Sequence, residues 1–252
     1  MIRLVRTPGE WREIGKTLND KTIGFVPTMG ALHRGHLSLA EQSKRENDIT
    51  VVSIYVNPTQ FDSAEDLEKY PSAPEEDRQL LDKTGIDYLF LPEYEDLYPD
   101  RYTYKVTETE LSKKLCGASR PGHFDGVLTV VMKLLNIIGA DRAYFGEKDY
   151  QQFLLVKGMA EAFFLKTEII PCPLVREESG LALSSRNRRL SSSGRIKAAE
   201  FHRLLDSGKT VGNIAGELEK SGFKVDYITE TFGRIFGAVF LEDVRLIDNV
   251  KK

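Results

Sequence analysis

Five short runs rich in β-branched and apolar residues, at 22–29, 49–56, 87–91, 142–145 and 167–170, alternate with stretches of helical periodicity. That alternation narrows the available folds more than any other feature. None of the runs switches strictly between apolar and polar residues, as a strand with one wet face would, so they suit strands covered on both faces. Between them, 35–47 reads as a helix, and Pro74-Glu75-Glu76-Asp77 opens another with a proline and an acidic first turn that Gly85 closes. Residues 126–138 are apolar nearly all round and predict a buried helix, and 149–162 predicts a helix following the fourth strand. Repeated strand and helix require a parallel sheet with helices on both sides. The expected fold class is therefore α/β, a Rossmann-like doubly wound parallel sheet over residues 1–173.

The character of the chain changes after Pro171-Cys172-Pro173, a stiff frame that suits a hinge. Beyond it come a Ser/Arg-rich loop, helices predicted at 192–205 and 211–221, and strand candidates at 224–229 and 238–246. Ser191-Ser192-Ser193 reads as a helix-capping loop. Residues 174–252 are thus expected to form a smaller α+β C-terminal domain that acts as a cover.

Composition removes several functional classes. In 252 residues, 35 Lys and Arg stand against 38 Asp and Glu, a net charge of -3, so nothing favours a nucleic acid or an anionic membrane as partner. Any bound phosphate must be held by local positive groups. Cys116 and Cys172 lack metal-ligand spacing and read as small buried apolar residues in a reduced, cytoplasmic setting. The N-terminus has no apolar signal core, and no run approaches the ~20 residues of a membrane span. The expectation is a protein neither exported nor inserted.

His33-Arg34-Gly35-His36 sits where the first strand gives way to a helix. Two imidazoles one turn apart at a helix N-terminus make an anion-binding corner. Backbone N–H groups and the positive helix end face a phosphate, and the imidazoles donate to oxygens that gain charge. Such a corner suits the opening of a nucleoside triphosphate at its α-phosphate. Gly180-Leu181-Ala182-Leu183-Ser184-Ser185-Arg186-Asn187 offers two hydroxyls and a guanidinium on a flexible loop that can close over the same triphosphate. In Gly146-Glu147-Lys148-Asp149-Tyr150-Gln151-Gln152, Lys148 can neutralise a phosphate and Asp149 can hold Mg²⁺ directly or through water. There, Gln151 or Gln152 can bind a small polar substrate. Asn57 and Gln60, in Tyr55-Val56-Asn57-Pro58-Thr59-Gln60-Phe61, present neutral amides suited to a carboxylate or hydroxyls. Arg120-Pro121-Gly122-His123 places a cation and an imidazole before the buried helix, whereas His202, on a polar helix, reads as solvated.

Taken together, Val26-Pro27-Thr28-Met29-Gly30-Ala31-Leu32-His33-Arg34-Gly35-His36, Val56 to Phe61, Arg120 to Phe124, Phe145 to Gln152 and Gly180 to Asn187 closely resemble the pantothenate synthetase (pantoate–β-alanine ligase) family. That family lies within the nucleotidyltransferases related to class I synthetases. The similarity runs in family order through about the first 190 residues and returns at Arg245-Leu246-Ile247-Asp248-Asn249. It implies ATP-dependent ligation of pantoate and β-alanine through an enzyme-bound pantoyl adenylate, with AMP and pyrophosphate released. It also implies a homodimer.

By the same resemblance, His33 and His36 bind the ATP phosphates, with His36 as the polarising donor. The turn of Met29, Gly30, Ala31, Leu32, Arg34 and Gly35 holds the nucleotide, the Met29 amide lying close to the α-phosphate. Lys148, Ser184, Ser185 and Arg186 hold the β- and γ-phosphates, with Glu147 and Leu183 beside them, and Asp149 engages Mg²⁺. Gly146 and Val175 line the adenosine pocket. Gln60 and Gln152 bind pantoate, with Asn57 alongside and Gln60 also near β-alanine. Two departures stand out: Ser179 replaces a usual aspartate beside the phosphate loop, and the small domain is shorter than usual between Glu217 and Val239. A nucleotidyltransferase acting on a phosphorylated substrate would share the histidine corner without needing 146–152 or 56–61. A non-catalytic sensor would be expected to lack one catalytic element, and a tRNA synthetase would need an anticodon-binding domain.

Overall fold

The computed structural model describes residues 2–252. Along the chain run β1 (Arg3–Val5), α1 (Pro8–Gly15), β2 (Ile23–Thr28), α2 (Arg34–Glu46), β3 (Ile49–Ile54), α3 (Ala64–Glu68), α4 (Pro74–Thr84) and β4 (Tyr88–Phe90). Then follow α5 (Tyr94–Leu97), α6 (Cys116–Ser119), α7 (His123–Ile138), β5 (Arg142–Gly146), α8 (Tyr150–Ala162) and β6 (Glu168–Cys172). The chain ends with α9 (Ser192–Leu205), α10 (Val211–Lys220), β7 (Lys224–Thr231), β8 (Arg234–Leu241) and β9 (Val244–Lys251). It divides into two compact units, the first running through Gly146 and resuming at Gln151–Cys172, the second made of Glu147–Tyr150 and Pro173–Lys252.

The first unit is built on a six-stranded sheet in the order β1-β4-β3-β2-β5-β6, every pair parallel. Its central strands β2, β3 and β5 are buried on both faces, as the unalternating runs require, whereas the edge strands β1 and β6 each expose residues. Val26, Val52 and Leu89 pack with Leu39 of α2 and Leu81 of α4 in one continuous core. From β2 the chain builds first toward β3 and β4 and later returns to place β5 on β2's other side. That reversal creates a switch point at the carboxyl end of β2, where ligands bind in open sheets of this kind. Met29–His36 follows β2 and Asn57–Gln60 follows β3, so both expected sites lie at carboxyl ends of central strands.

Five elements of this unit escape the sequence pattern: β1, the short helices α3, α5 and α6, and α1, which Thr7 opens with a reciprocal capping box to Glu10 and Pro8 at its first position. Helix α7 begins at His123, three residues before the expected start, after Gly122 at φ 81°.

In the second unit, α9 and α10 pack Phe201, Leu205, Ile214 and Leu218 against Val239, Leu246 and Val250 of an antiparallel sheet ordered β7-β8-β9. The single strand expected at 238–246 is wrong. A two-residue turn at Glu242 (φ 51°) and Asp243 (φ 62°) splits it into β8 and β9. Left-handed turns match the strand twist and are usually marked by glycine or asparagine, so this one carries no signal. Among the described residues no helix is long and apolar enough to cross a membrane.

Candidate active site

Helix α2 is capped by its own histidine. His33, extended at φ -144°, accepts the Gly35 N–H at Nδ1 (3.1 Å). An imidazole that accepts at Nδ1 carries its proton, when neutral, on Nε2, so His33 is fixed as an Nε2 donor. The His36 ring stacks on it with centroids 4.0 Å apart and planes inclined by 24°. The pair is thus oriented by contacts within the protein. Arg34 turns its guanidinium along the helix to Glu41 (2.6 Å) and is 59% exposed.

The backbone of the corner departs from expectation. Gly30 and Ala31 are both left-handed, at φ 82° and 48°. The buried Asp77, in the first turn of α4, accepts the N–H of Ala31 (2.8 Å) and of Leu32 (2.6 Å). Gly30 N–H donates to Thr28 Oγ1 (3.2 Å). The N–H groups of Gly30, Ala31, Leu32 and Gly35 therefore have acceptors within the protein. Asp77 is the residue that sequence reasoning misses, because along the chain it shows only as part of an acidic helix start.

After β3, Asn57 is 1% exposed and has every amide valence engaged. Its Nδ2 donates to Gln60 Oε1 (3.1 Å) and to the Gly126 carbonyl (3.2 Å), and its Oδ1 accepts from Thr59 Oγ1 (3.0 Å) and Tyr98 Oη (2.9 Å). Burial pushes the Tyr98 phenol up to about 12, so it stays a donor at neutral pH. Because Gln60 Oε1 already accepts from Asn57, the amide of Gln60 has its N–H groups to offer. The Gln60 carbonyl meets Nδ1 of His123 (2.7 Å) and accepts from Arg120 (3.4 Å), whose guanidinium also donates to Asp62 (3.0 Å). Gly126 allows α7 to approach this turn, since a Cβ there would lie 2.3 Å from the Thr59 carbonyl.

The structure also separates the two adjacent glutamines. Gln151 is buried and fully used: it donates to the carbonyls of Leu111 (2.8 Å) and Lys114 (2.7 Å) and accepts from Cys116 N–H (3.1 Å). Gln152, the next residue on α8, is half-buried.

In the second unit, Glu147–Asp149 forms one 3-10 turn. Lys148 Nζ lies 3.6 Å from Asp149 Oδ2, with the two side chains 20% and 45% exposed, while Glu147 accepts from Arg234 (2.8 Å). Among the described residues, no three His, Cys, Asp or Glu side chains converge where they could hold a metal. Val175 and Leu183 face one another across a narrow turn, joined by the Leu183 N–H to the Val175 carbonyl (3.1 Å). Ser184 caps the 3-10 helix Ser185–Arg189, accepting from Arg186 N–H (3.3 Å). Ser185 is buried and Arg186 half-buried. Ser179 makes a local contact, accepting from Leu181 N–H (3.4 Å).

His202 is not solvated, as its polar helix suggested. Its Nδ1 lies 3.6 Å from the buried Asp248, and its ring abuts Gly180, where a Cβ would come within 3.0 Å. Burial, aided by the nearby Arg176 guanidinium and opposed by Asp248 and Asp206, lowers its pKa below the ordinary imidazole value.

Known proteins resemble this chain over nearly its whole length. A family model described as pantoate-beta-alanine ligase matches residues 3–251. The pantothenate synthetase of Bdellovibrio bacteriovorus is 50% identical over 251 residues, covering 100% of both chains, so a small domain of this length is shared with that relative. The Coxiella burnetii pantothenate synthetase is 50% identical over 250 residues, 99% of this chain and 97% of its own. Among solved structures, the pantoate-beta-alanine ligase of Francisella tularensis, complexed with beta-gamma ATP and beta-alanine, has a TM-score of 0.95 at 42% identity, covering 100% of this chain and 98% of its own. The pantothenate synthetase of Thermus thermophilus has a TM-score of 0.90 at 41% identity, covering 99% of each chain. The chain belongs to the pantoate–β-alanine ligase family and is a ligase.

Proposed function

We propose that this protein joins pantoate to β-alanine at the expense of ATP, through a pantoyl adenylate, and releases AMP and pyrophosphate. The observation that carries the reading is the stacked His33–His36 pair at the start of α2, with the His33 proton fixed on Nε2. In the first step a pantoate carboxylate oxygen bonds to the α-phosphorus as the bond to the bridging oxygen breaks and pyrophosphate leaves. Charge grows on the phosphate oxygens, which is where preoriented donors act. His36 is the polarising donor and His33 its neighbour. In the second step the neutral amine of β-alanine bonds to the acyl carbon, AMP departs with the bonding pair, and the nitrogen loses a proton.

Gln60 meets pantoate with its N–H groups, since its Oε1 is taken by Asn57. Asn57 then acts through Gln60 rather than by direct contact, and Gln152 supplies the second pantoate amide. Lys148, Ser184, Ser185 and Arg186 serve the β- and γ-phosphates. A half-exposed Asp149, in no cluster of three metal-ligating side chains among the described residues, would fit a Mg²⁺ ion that arrives with ATP and keeps phosphate and water as its other ligands. That ion neutralises phosphate charge when bound. The Francisella relative, solved with beta-gamma ATP and beta-alanine, supports the choice of substrates. Family likeness extends the proposal to a cytoplasmic homodimer.

The test is product stoichiometry and partial exchange. One AMP and one pyrophosphate should form per pantothenate, and ATP–pyrophosphate exchange should require pantoate but not β-alanine. Stoichiometric ADP, or exchange independent of pantoate, overturns the adenylate route.

A further inference from the structure

Asp248 and Asn249 are successive residues of β9 and are both 3% exposed. They reach different loops of the second unit. Asp248 grips the Arg176 guanidinium with both oxygens (2.6 and 2.9 Å), and Arg176 in turn donates to the Gly180 carbonyl (3.0 Å), at the start of the segment carrying Ser184–Arg186. Asn249 instead donates through Nδ2 to the carbonyls of Glu147 (2.9 Å) and Lys148 (3.1 Å). Its Oδ1 accepts from Arg234 (2.8 Å), which also donates to the Glu147 carboxylate (2.8 Å) and lies 3.9 Å over the Tyr150 ring.

The chemistry at each position is specific. Two backbone carbonyls and a guanidinium can be satisfied at once only by a side chain with two donors and an acceptor, which an amide has and a carboxylate lacks. A bidentate grip on Arg176 conversely needs a carboxylate. Neither side chain is placed to meet a ligand, because their hydrogen-bonding groups are turned to the protein. Yet the contacts explain why Glu147–Tyr150 is clustered with the second unit although the chain on either side belongs to the first. The Lys148 turn is held by strand β9.

We infer that Asp248 and Asn249 are positioning residues that fix the Lys148 turn and the Ser184–Arg186 loop to one strand, so that the two groups meeting the β- and γ-phosphates move as a single body. The inference rests on the phosphate roles proposed above for those groups. A buried polar pair that mattered only for folding would affect all nucleotides alike. A pair that sets the β,γ-phosphate groups affects ATP and spares AMP.

The experiment is calorimetric titration of the full-length protein with ATP, with AMP and with inorganic pyrophosphate. Asn249→Asp, nearly isosteric, keeps the acceptor for Arg234 and removes both donors. Arg176→Lys is a second variant that leaves Asp248 and Asn249 in place but breaks the bidentate grip. Each is expected to weaken ATP and pyrophosphate by about tenfold or more, with AMP and pantoate binding within about twofold and circular dichroism unchanged. Lys148→Ala and Arg186→Ala provide the benchmark. If they fail to separate ATP from AMP, the phosphate roles themselves are wrong. If they separate the two nucleotides while Asn249→Asp and Arg176→Lys bind both normally, or lose both equally, the positioning role alone is overturned.

Discussion

Replacing Asp77 by asparagine tests how the histidine corner is built. The carboxylate is 1% exposed and accepts two N–H groups, from Ala31 at 2.8 Å and Leu32 at 2.6 Å. An asparagine can accept one of them, but its NH₂ must then face the other donor. Exchanging a charged bond for a neutral one costs about 1 kcal/mol, and leaving a buried N–H without an acceptor costs about 1–3 kcal/mol. The sum is about 2–4 kcal/mol, a large fraction of the ~5–15 kcal/mol that holds a domain together. Urea unfolding of Asp77→Asn should show this loss as a lower midpoint at unchanged slope. Leu32 is followed directly by His33, so the same change should misplace the imidazoles, and a shift of ~1 Å in a reacting group costs on the order of 10² in rate. Pantoate-dependent ATP–pyrophosphate exchange at saturating substrates should fall by about that factor. A variant with stability within ~0.5 kcal/mol of the parent and undiminished exchange would show that Asp77 does not shape the corner.

His33→Asn should keep the cap on α2, because asparagine is a strong N-cap, while His33→Ala should lose about 0.5–2 kcal/mol; both should slow exchange, so an Asn variant with parental activity would remove His33 from the chemistry. Gly126→Ala must move backbone, since its methyl would lie 2.3 Å from the Thr59 carbonyl and 2.7 Å from Gln60 Cα, and should cost about 1–3 kcal/mol with a raised KM for pantoate in steady-state assays. Gln151→Ala should lower the melting temperature by stripping three hydrogen bonds from 111–116, whereas Gln152→Ala should leave it unchanged and raise the pantoate KM. His202 titrates below 6.5 in the folded protein, so the unfolded chain takes up its proton first and stability falls as pH drops through that value; His202→Gln should flatten the stability profile there in denaturant titrations.

What can be read from the sequence is what depends on neighbours along the chain. Central strands show themselves because burial on both faces leaves no polar alternation, and α4 because proline, acidic first turn and closing glycine are all local. Strand β1, three residues long, offers no period to detect. The turn at Glu242-Asp243 is hidden because it has neither the glycine nor the asparagine that most strongly marks a left-handed turn. Within the site, the histidine corner and the Ser184–Arg186 loop are legible as motifs, for their chemistry lies in adjacent side chains. Their supports are not. Asp77 reaches Ala31 across 46 positions, and Asn249 reaches Lys148 across 101. Gln151 and Gln152 are chemically identical and one helical step apart, so only the presence of Leu111, Lys114 and Cys116 against one of them assigns its role.

The same long-range partners decide how the corner can meet a phosphate. A glycine-rich phosphate loop works by leaving a row of backbone N–H groups for the anion to satisfy. Here Thr28, Asp77 and His33 satisfy four of the N–H groups between Gly30 and Gly35. A carboxylate placed where such a loop would seat its anion also repels phosphate from that part of the turn. In the proposed reaction the work of meeting the α-phosphate therefore passes from the backbone to the two imidazoles. Their stacking fixes the ring planes, and the Gly35 N–H fixes the proton of a neutral His33 on Nε2. The corner is thus held by hydrogen bonds made within the protein, and its donors are side chains. That arrangement favours the charge that develops during adenylation over tight binding of the ground-state triphosphate, which is the condition for raising kcat rather than only lowering KM.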